Sequence, residues 1–246
     1  MTANMLSLRY LVTLVPALLG LATPTLSKPV STHERHAEIL GNVTLTEGIE
    51  RRSTVFSNSK DGVNAAGFYY SLYNDNKASA GYTEFPNSGQ FQVGWDMSSE
   101  KEFLGGKGYK GGSPRSITWD GYFTASGDWT LAIYGWTTDP VTEWYIVESH
   151  GTGTPGNGKI LGQVESDGGI YDVYSLSYDN VPKIYGATSF KQYWSVRRTH
   201  RTTGTVNVAA HFNGWKKLGL KPGNPVFQMI TLEGFKGKGY LDFTVR

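Results

Sequence analysis

From Gly67 onward, short runs of aromatic and β-branched residues alternate with segments rich in Gly, Asn, Asp and Pro. This pattern is typical of β-strands joined by tight turns. It predicts strands at 68–73, 81–85, 90–96, 115–123, 129–136, 143–149, 159–166, 170–178, 187–198, 226–235 and 240–245. So many strands at this spacing favour an all-β domain, either a sandwich or a jelly roll.

Glycine-containing segments between these runs predict where the chain turns. Turns are expected at 87–89, 126–128 and 167–168, which separate the strands on either side. The segment Gly105-Gly106-Lys107-Gly108 lacks the spacing of a phosphate-binding loop and is interpreted as a bend between sheets.

One segment, residues 206–218, shows a helical rather than an alternating pattern. Its apolar positions recur at helical spacing and form the stripe Val208, Phe212 and Trp215. Thr205 is a suitable N-cap and Gly219 a suitable end. The pattern predicts one helix that packs against a sheet.

The first 52 residues differ from the rest of the chain. An apolar run at 10–22 follows Arg9 and is too short for a bilayer, which needs about 20 apolar residues. We interpret residues 1–27 as a secretory signal peptide; Pro16 and the terminal position disfavour a core helix. Residues 28–52 are polar and end in the dibasic pair Arg51-Arg52, which favours a propeptide. The mature domain is then 53–246, which we expect to be secreted and extracellular.

Composition and charge exclude several classes of function. The 246 residues carry 23 Lys and Arg against 21 Asp and Glu, a balance without the basic excess of nucleic-acid-binding proteins. The chain has no cysteine, which excludes disulfides, thiolate catalysis and cysteine-ligated zinc. No histidine pair of the mature domain has metal-ligand spacing. We therefore expect no metal, no cofactor, no nucleic-acid partner and, after processing, no membrane association.

Two strands combine aromatic residues with a glutamate. Alternation places Glu143 on one face with Tyr145, and Glu233 on one face with Met229 and Phe235. A glutamate on such a strand can be a solvent-facing carboxylate on an outer surface. It can equally line a concave aromatic face, where sugar rings stack on aromatic side chains.

Several separated motifs decide between these interpretations. The chain resembles glycoside hydrolase family 11, the small endo-1,4-β-xylanases, from about Gly67 to Val245. The matching motifs are 105–108 (GGKG), 134–148 (YGWTTDPVTEWYIVE), 167–172 (DGGIYD), 192–198 (QYWSVRR), 211–212 (HF) and 232–235 (LEGF).

The resemblance implies a fold and a mechanism. The fold is a jelly roll of two curved, twisted antiparallel sheets that form a cleft, with one α-helix packed on the outer sheet. The mechanism is retaining, with Glu143 as nucleophile and Glu233 as acid/base, their carboxyl groups about 5–5.5 Å apart. The positions that the resemblance implies for substrate binding are Tyr73, Tyr134, Trp136, Tyr145, Pro182, Ile184 and Gln192.

The chain departs from the family pattern around these glutamates. Tyr178 stands where the family has an arginine, which we expect to raise the pKa of Glu143. Gly94 replaces the Asn or Asp beside the acid/base, and Tyr73 replaces a tryptophan. Val181 replaces a sugar-binding glutamine in the thumb loop, and two tyrosines are replaced by Phe227 and Phe235.

The sequence therefore predicts a secreted, monomeric, retaining endo-1,4-β-xylanase that acts on xylan. Two alternatives stay open. The altered cleft allows a catalytically weakened or inactive xylanase-like protein that binds polysaccharide or a host protein. The same fold could also serve a glucanase. The two retained glutamates favour a working enzyme.

Overall fold

The computed structural model describes residues 53–75, 78–156, 158–182 and 184–246. The predicted signal peptide and propeptide, residues 1–52, lie outside this range. The described residues form thirteen strands and one helix. The elements are β1 (Thr54–Phe56), β2 (Lys60–Val63), β3 (Tyr69–Asn74), β4 (Ala80–Glu84), β5 (Gln90–Met97), β6 (Phe103–Lys110), β7 (Ser116–Thr138), β8 (Thr142–His150), β9 (Gly162–Ser166), β10 (Gly169–Tyr178), β11 (Phe190–Arg197), β12 (Gly204–Asn207), α1 (Val208–Lys217) and β13 (Asn224–Val245).

The strands pair into a continuous sheet that is folded into two layers. Layer A has the order β1-β4-β5-β13-β7-β12, and layer B has the order β2-β3-β6-β13-β7-β8-β11-β10-β9. Strands β7 and β13 belong to both layers, since residues 227–234 of β13 pair with β6 and residues 237–244 pair with β5. All pairs are antiparallel except β8 with β11. The all-β jelly-roll prediction is confirmed.

The two longest strands were each predicted as two separate strands. The predicted turn at 126–128 is wrong, because β7 runs through it and stays paired with β13. Gly127 (φ 90°) lies opposite Gly237 (φ 101°), a backbone region that favours glycine. A Cβ at either position would lie within 2.4 Å of a carbonyl oxygen of the paired strand. The two glycines therefore let the paired strands pass from one layer to the other without a break.

The predicted bend at 105–108 is also wrong, because these residues lie inside β6. A Cβ on Gly106 would lie 2.3 Å from the Ile230 carbonyl oxygen. A Cβ on Gly108 would lie 2.3 Å from the Gln228 carbonyl oxygen. These glycines allow β6 to approach β13 closely. Lys107 is fully buried and donates to Glu84 Oε1 at 2.7 Å and to the Gln90 carbonyl oxygen at 2.6 Å. It thereby ties the two layers together.

The predicted helix is present, but it begins later than expected. Thr205 is not the N-cap, because it pairs with Thr118 in the β12–β7 ladder. Asn207 caps the helix instead, its side-chain oxygen accepting from the Ala210 amide at 3.1 Å. Gly219, with φ 82°, follows the end of the helix as predicted. Within the part of the chain described, no helix is long and apolar enough to cross a membrane.

Side chains of layer B alternate between two faces. One face packs against layer A and against the helix, where Trp144 meets Phe212 and Trp215. The opposite face carries a second buried apolar cluster, which we call the aromatic face. Its members are Tyr69, Leu104, Ala132, Tyr134, Trp136, Tyr145, Val147, Tyr178, Val181, Ile184, Phe190, Trp194, Phe227 and Met229.

Candidate active site

Glu143 lies on β8 at the centre of the aromatic face. The register places it opposite Trp136 on β7 and opposite Gln192 on the parallel neighbour β11. The residue is only 6% exposed. A carboxyl group in this position must be satisfied by protein groups, since water reaches it poorly.

Three neutral donors satisfy the Glu143 carboxyl group. The hydroxyls of Tyr134 and Tyr145 donate to Oε1 at 2.9 and 3.1 Å. Gln192 Nε2 donates to Oε2 at 2.6 Å. Trp136 Nε1 in turn donates to the Tyr134 hydroxyl at 2.6 Å, which orients it toward the carboxyl group.

The environment raises the pKa of Glu143 to about 7. Burial is the largest cause, and the hydrogen bonds from Gln192, Tyr134 and Tyr145 oppose it. The raised pKa agrees in direction with the expectation for a missing arginine. Tyr178 is itself buried on the aromatic face, and burial, followed by the charges of Glu143 and Glu233, raises its own pKa.

Glu233 lies on β13, opposite Leu104 of β6 and Thr130 of β7. It is 3% exposed, and its Oε2 has no hydrogen-bond partner among the described residues. Burial raises its pKa well above the usual range, and the negative charges of Glu102, Glu143 and Asp128 add to this. Both effects favour the protonated form of Glu233.

The surroundings of the two carboxyl groups thus differ. Hydrogen-bond donors favour the ionised form of Glu143, whereas the surroundings of Glu233 favour its protonated form. An ionised carboxylate can attack an anomeric carbon while a carboxylic acid protonates the leaving oxygen. The arrangement is suited to hydrolysis of a glycosidic bond.

Most residues predicted to bind substrate surround this pair. Tyr134, Trp136, Tyr145 and Ile184 belong to the aromatic face, and Tyr73 packs against it while remaining half-buried. Tyr145 and Trp194 stack in parallel with centroids 3.9 Å apart. Gln192 binds Glu143 directly. Pro182 differs from the others, because it is exposed in the loop that precedes Ile184.

Two further residues near the site were not identified from sequence. Glu102 directly precedes β6, and its charge acts on Glu233. Tyr185, beside Ile184, places its ring 5.8 Å from that of Trp136. The sequence did not identify Glu102, because residues 105–108, which follow it closely, were predicted to form a bend rather than part of a strand. With that segment in a strand, alternation with Leu104 would have placed Glu102 on the aromatic face.

Comparison with known proteins identifies the family of this chain. Residues 65–244 match the family model described as glycosyl hydrolases family 11. The chain belongs to glycosyl hydrolase family 11. It is therefore a glycosidase, and the predicted family membership is confirmed.

Named relatives are similar to most of the chain. Ethylene-inducing xylanase 1 of Verticillium dahliae is 44% identical over 182 residues, which are 74% of this chain and 81% of the relative. Endo-1,4-beta-xylanase 2 of Rhizopus oryzae is 39% identical over 203 residues, 82% of this chain and 91% of the relative. Endo-1,4-beta-xylanase 11A of Botryotinia fuckeliana is 42% identical over 183 residues, 74% of this chain and 80% of the relative.

Proposed function

We propose that this protein is a secreted endo-1,4-β-xylanase that cleaves internal xylosidic bonds of xylan by a retaining mechanism. The observation that carries the proposal is the pair of unlike carboxyl groups: Glu143 is bound by three donors, whereas the buried Oε2 of Glu233 has no hydrogen-bond partner among the described residues. Relatives named endo-1,4-beta-xylanase support xylan as the substrate.

In the first step, Glu143 attacks the anomeric carbon and the glycosidic bond breaks. Glu233 gives its proton to the leaving oxygen, and a covalent glycosyl-enzyme remains. In the second step, Glu233 takes a proton from water, which attacks the same carbon and releases Glu143. Two displacements at one carbon restore its original configuration.

The donors to Glu143 have two functions in this scheme. Tyr134, Tyr145 and Gln192 fix the carboxyl group in place and oppose the effect of burial on its pKa. They carry no charge, so they do not hold the carboxylate as a salt bridge would. The carboxylate therefore stays reactive toward a carbon that develops positive charge.

The working pH range follows from the pKa values of the pair. Glu143 must be ionised, so activity is lost as the pH falls through its pKa of about 7. Glu233 must be protonated, and its pKa lies well above the usual range for glutamate. We expect a bell-shaped dependence of activity on pH with its maximum at neutral to alkaline pH.

The test measures reducing ends released from xylan and from mixed-linkage β-glucan. We expect release from xylan, with new β-anomers appearing first in proton NMR spectra. Release from β-glucan but not from xylan would identify the enzyme as a glucanase rather than a xylanase. Initial formation of α-anomers would contradict the retaining mechanism, and no release from either polymer would contradict the proposed activity.

A second candidate function does not require catalysis. The Verticillium dahliae relative is named an ethylene-inducing xylanase, and we propose as the second candidate that this protein induces ethylene in plant tissue without the need for hydrolysis. The Glu143→Gln variant, applied to leaf tissue beside the wild type, separates the two activities. Ethylene release by the inactive variant would support this function, whereas its absence would tie any response to xylan hydrolysis.

A further inference from the structure

A lysine lies on the aromatic face at the end of β6. Lys110 is the last residue of this strand and is exposed to solvent. Leu104 of the same strand belongs to the aromatic face, and strand residues an even number of positions apart point to the same side. Lys107, an odd number of positions from Leu104, is instead buried between the layers. The side chain of Lys110 is therefore directed to the aromatic face.

Two aromatic rings of this face lie beside Lys110. Its Nζ is 5.4 Å from the centroid of the Tyr69 ring, and its backbone pairs directly with Phe227 of β13. The two ring centroids are 5.3 Å apart and both side chains are buried, so together they form what we call the Tyr69–Phe227 platform. An ammonium group above an aromatic ring is attracted to it electrostatically. This attraction holds the Lys110 ammonium group at the surface of the platform.

The Tyr69–Phe227 platform offers few hydrogen-bonding groups to a ligand. Phe227 has none in its side chain, and the Tyr69 hydroxyl lies 3.4 Å from Asp61 Oδ2. None of the ion pairs among the described residues includes Lys110. The three N–H donors of its ammonium group are therefore the main polar groups that this part of the face presents.

Few cations share the aromatic face with Lys110. Among the lysines and arginines in or directly beside the described strands of layer B, alternation directs only Lys110 and Arg198 to this face. Arg198, which directly follows β11, is paired with Asp172 at 2.8 Å. Lys110 is thus the cation that these strands leave for a negatively charged ligand.

Lys110 is well separated from the acidic groups of the proposed reaction centre. Glu143, Glu233 and Glu102 act on one another there, and a negative group on the substrate would be repelled. Leu104 lies on β6 directly opposite Glu233. From Leu104 to Lys110 the strand spans about 20 Å at roughly 3.3 Å per residue, which exceeds the screening length of about 8 Å at physiological salt. A negative group at Lys110 therefore gains a cation and escapes most of this repulsion.

We propose that Lys110 is a specificity-determining residue that binds the carboxylate of acidic side groups on the substrate, so that the enzyme favours a xylan with uronic-acid side groups over a neutral one. The ammonium group donates to the carboxylate, and the Tyr69–Phe227 platform packs against the apolar face of the sugar. This inference rests on the proposed function, since it assigns a preference within the xylans.

The test compares a glucuronoxylan with the same polymer after chemical reduction of its carboxyl groups to alcohols. For each protein, the ratio of kcat/KM on the acidic polymer to kcat/KM on the reduced polymer is measured at pH 7 and low salt. We expect Lys110→Gln to lower this ratio about threefold, the size of an exposed charge contact. Lys110→Arg keeps the charge and should keep the ratio. High salt should bring the wild-type ratio toward that of Lys110→Gln.

The matched control is Lys217→Gln, which removes an exposed lysine from the last turn of α1. This helix packs on the opposite face of layer B, so the control should have the wild-type ratio. A general loss of folding or activity cancels, because each ratio comes from a single protein. A ratio for Lys110→Gln equal to that of the wild type would overturn the inference and leave the xylanase proposal intact.

A binding measurement tests the inference without hydrolysis. Glu143→Gln, with and without Lys110→Gln, is titrated by calorimetry with a xylo-oligosaccharide that carries one glucuronic-acid group and with its carboxyl-reduced form. We expect tighter binding of the acidic form, and we expect Lys110→Gln to abolish the difference. Equal affinities for the two forms without Lys110→Gln would overturn the inference. Failure of the wild type to hydrolyse either polymer would instead contradict the proposed function.

Discussion

Strand β8 carries two buried glutamates with different surroundings. Glu143 faces the aromatic face and is bound by neutral donors only. Glu148, five residues later, faces the core and is bound by the Arg201 guanidinium and, at 2.7 Å, by the Tyr171 hydroxyl. Burial raises the pKa of both, but at Glu148 the largest opposing causes come from the Arg201 cation.

The comparison shows how the same residue type serves catalysis in one place and structure in another. A guanidinium neutralises Glu148, which links β8 to the segment before β12. None of the three hydrogen-bond donors to Glu143 is a cation. Its carboxylate therefore remains available to an anomeric carbon that develops positive charge. These contacts assign Glu148 a structural role.

The largest expected effect is on activity at Glu143. Glu143→Gln should lower kcat on xylan at least about 10³-fold, because the nucleophile is lost. Its thermal stability at pH 8 should be equal to or above that of the wild type. A buried glutamate with a raised pKa favours the fold fully below its unfolded pKa and loses that contribution as the pH rises through about 7. A glutamine at this position does not ionise, so the variant has no such loss of stability as the pH rises. Kinetics and thermal melts of both proteins provide the check, with the exposed Glu165→Gln as control.

The opposite result is expected at Glu148. Glu148→Gln should destabilise the fold by about 3 kcal/mol, because it breaks a buried ion pair and leaves Arg201 without its carboxylate. The kcat of the protein that remains folded should change little. Urea unfolding at pH 7 measures the first quantity and initial rates the second. A stable but inactive Glu148→Gln would reverse the roles assigned to the two glutamates.

A smaller effect on activity is expected when residue 192 can no longer donate a hydrogen bond to Glu143. Gln192→Met keeps the length of the side chain but removes the hydrogen bond to Oε2, the largest cause that lowers the pKa of Glu143. The acid limb of kcat/KM should move to higher pH by about one unit. An acid limb that stays in place would show that Gln192 does not act on the nucleophile.

The smallest effect is expected at Tyr145. Tyr145→Phe removes one donor to Oε1 but keeps the ring that stacks on Trp194. We expect the acid limb to rise by about half a unit, less than in Gln192→Met, because the Tyr134 hydroxyl still binds the same oxygen. pH–rate profiles of the two variants measured side by side give the comparison, and the reverse order would contradict it.

The sequence predicted the fold class, the family and the central pair of glutamates, because alternation and short motifs are local signals. It did not predict that β7 and β13 are continuous, since Gly127 and Gly237 resemble turn residues until their pairing is known. Long-range register cannot be derived from local pattern. For the same reason the position of Glu102 beside Glu233 required the β6–β13 ladder.

The central claim is that Glu143 forms a covalent bond with the sugar. The most direct measurement is mass spectrometry of the protein after incubation with a 2-fluoro-xylobioside carrying a good leaving group, which slows the second step. We expect one added glycosyl group per chain, on the peptide that contains Glu143, and none in Glu143→Gln. A label on another residue such as Glu102, or hydrolysis of xylan without any covalent species, would contradict the account.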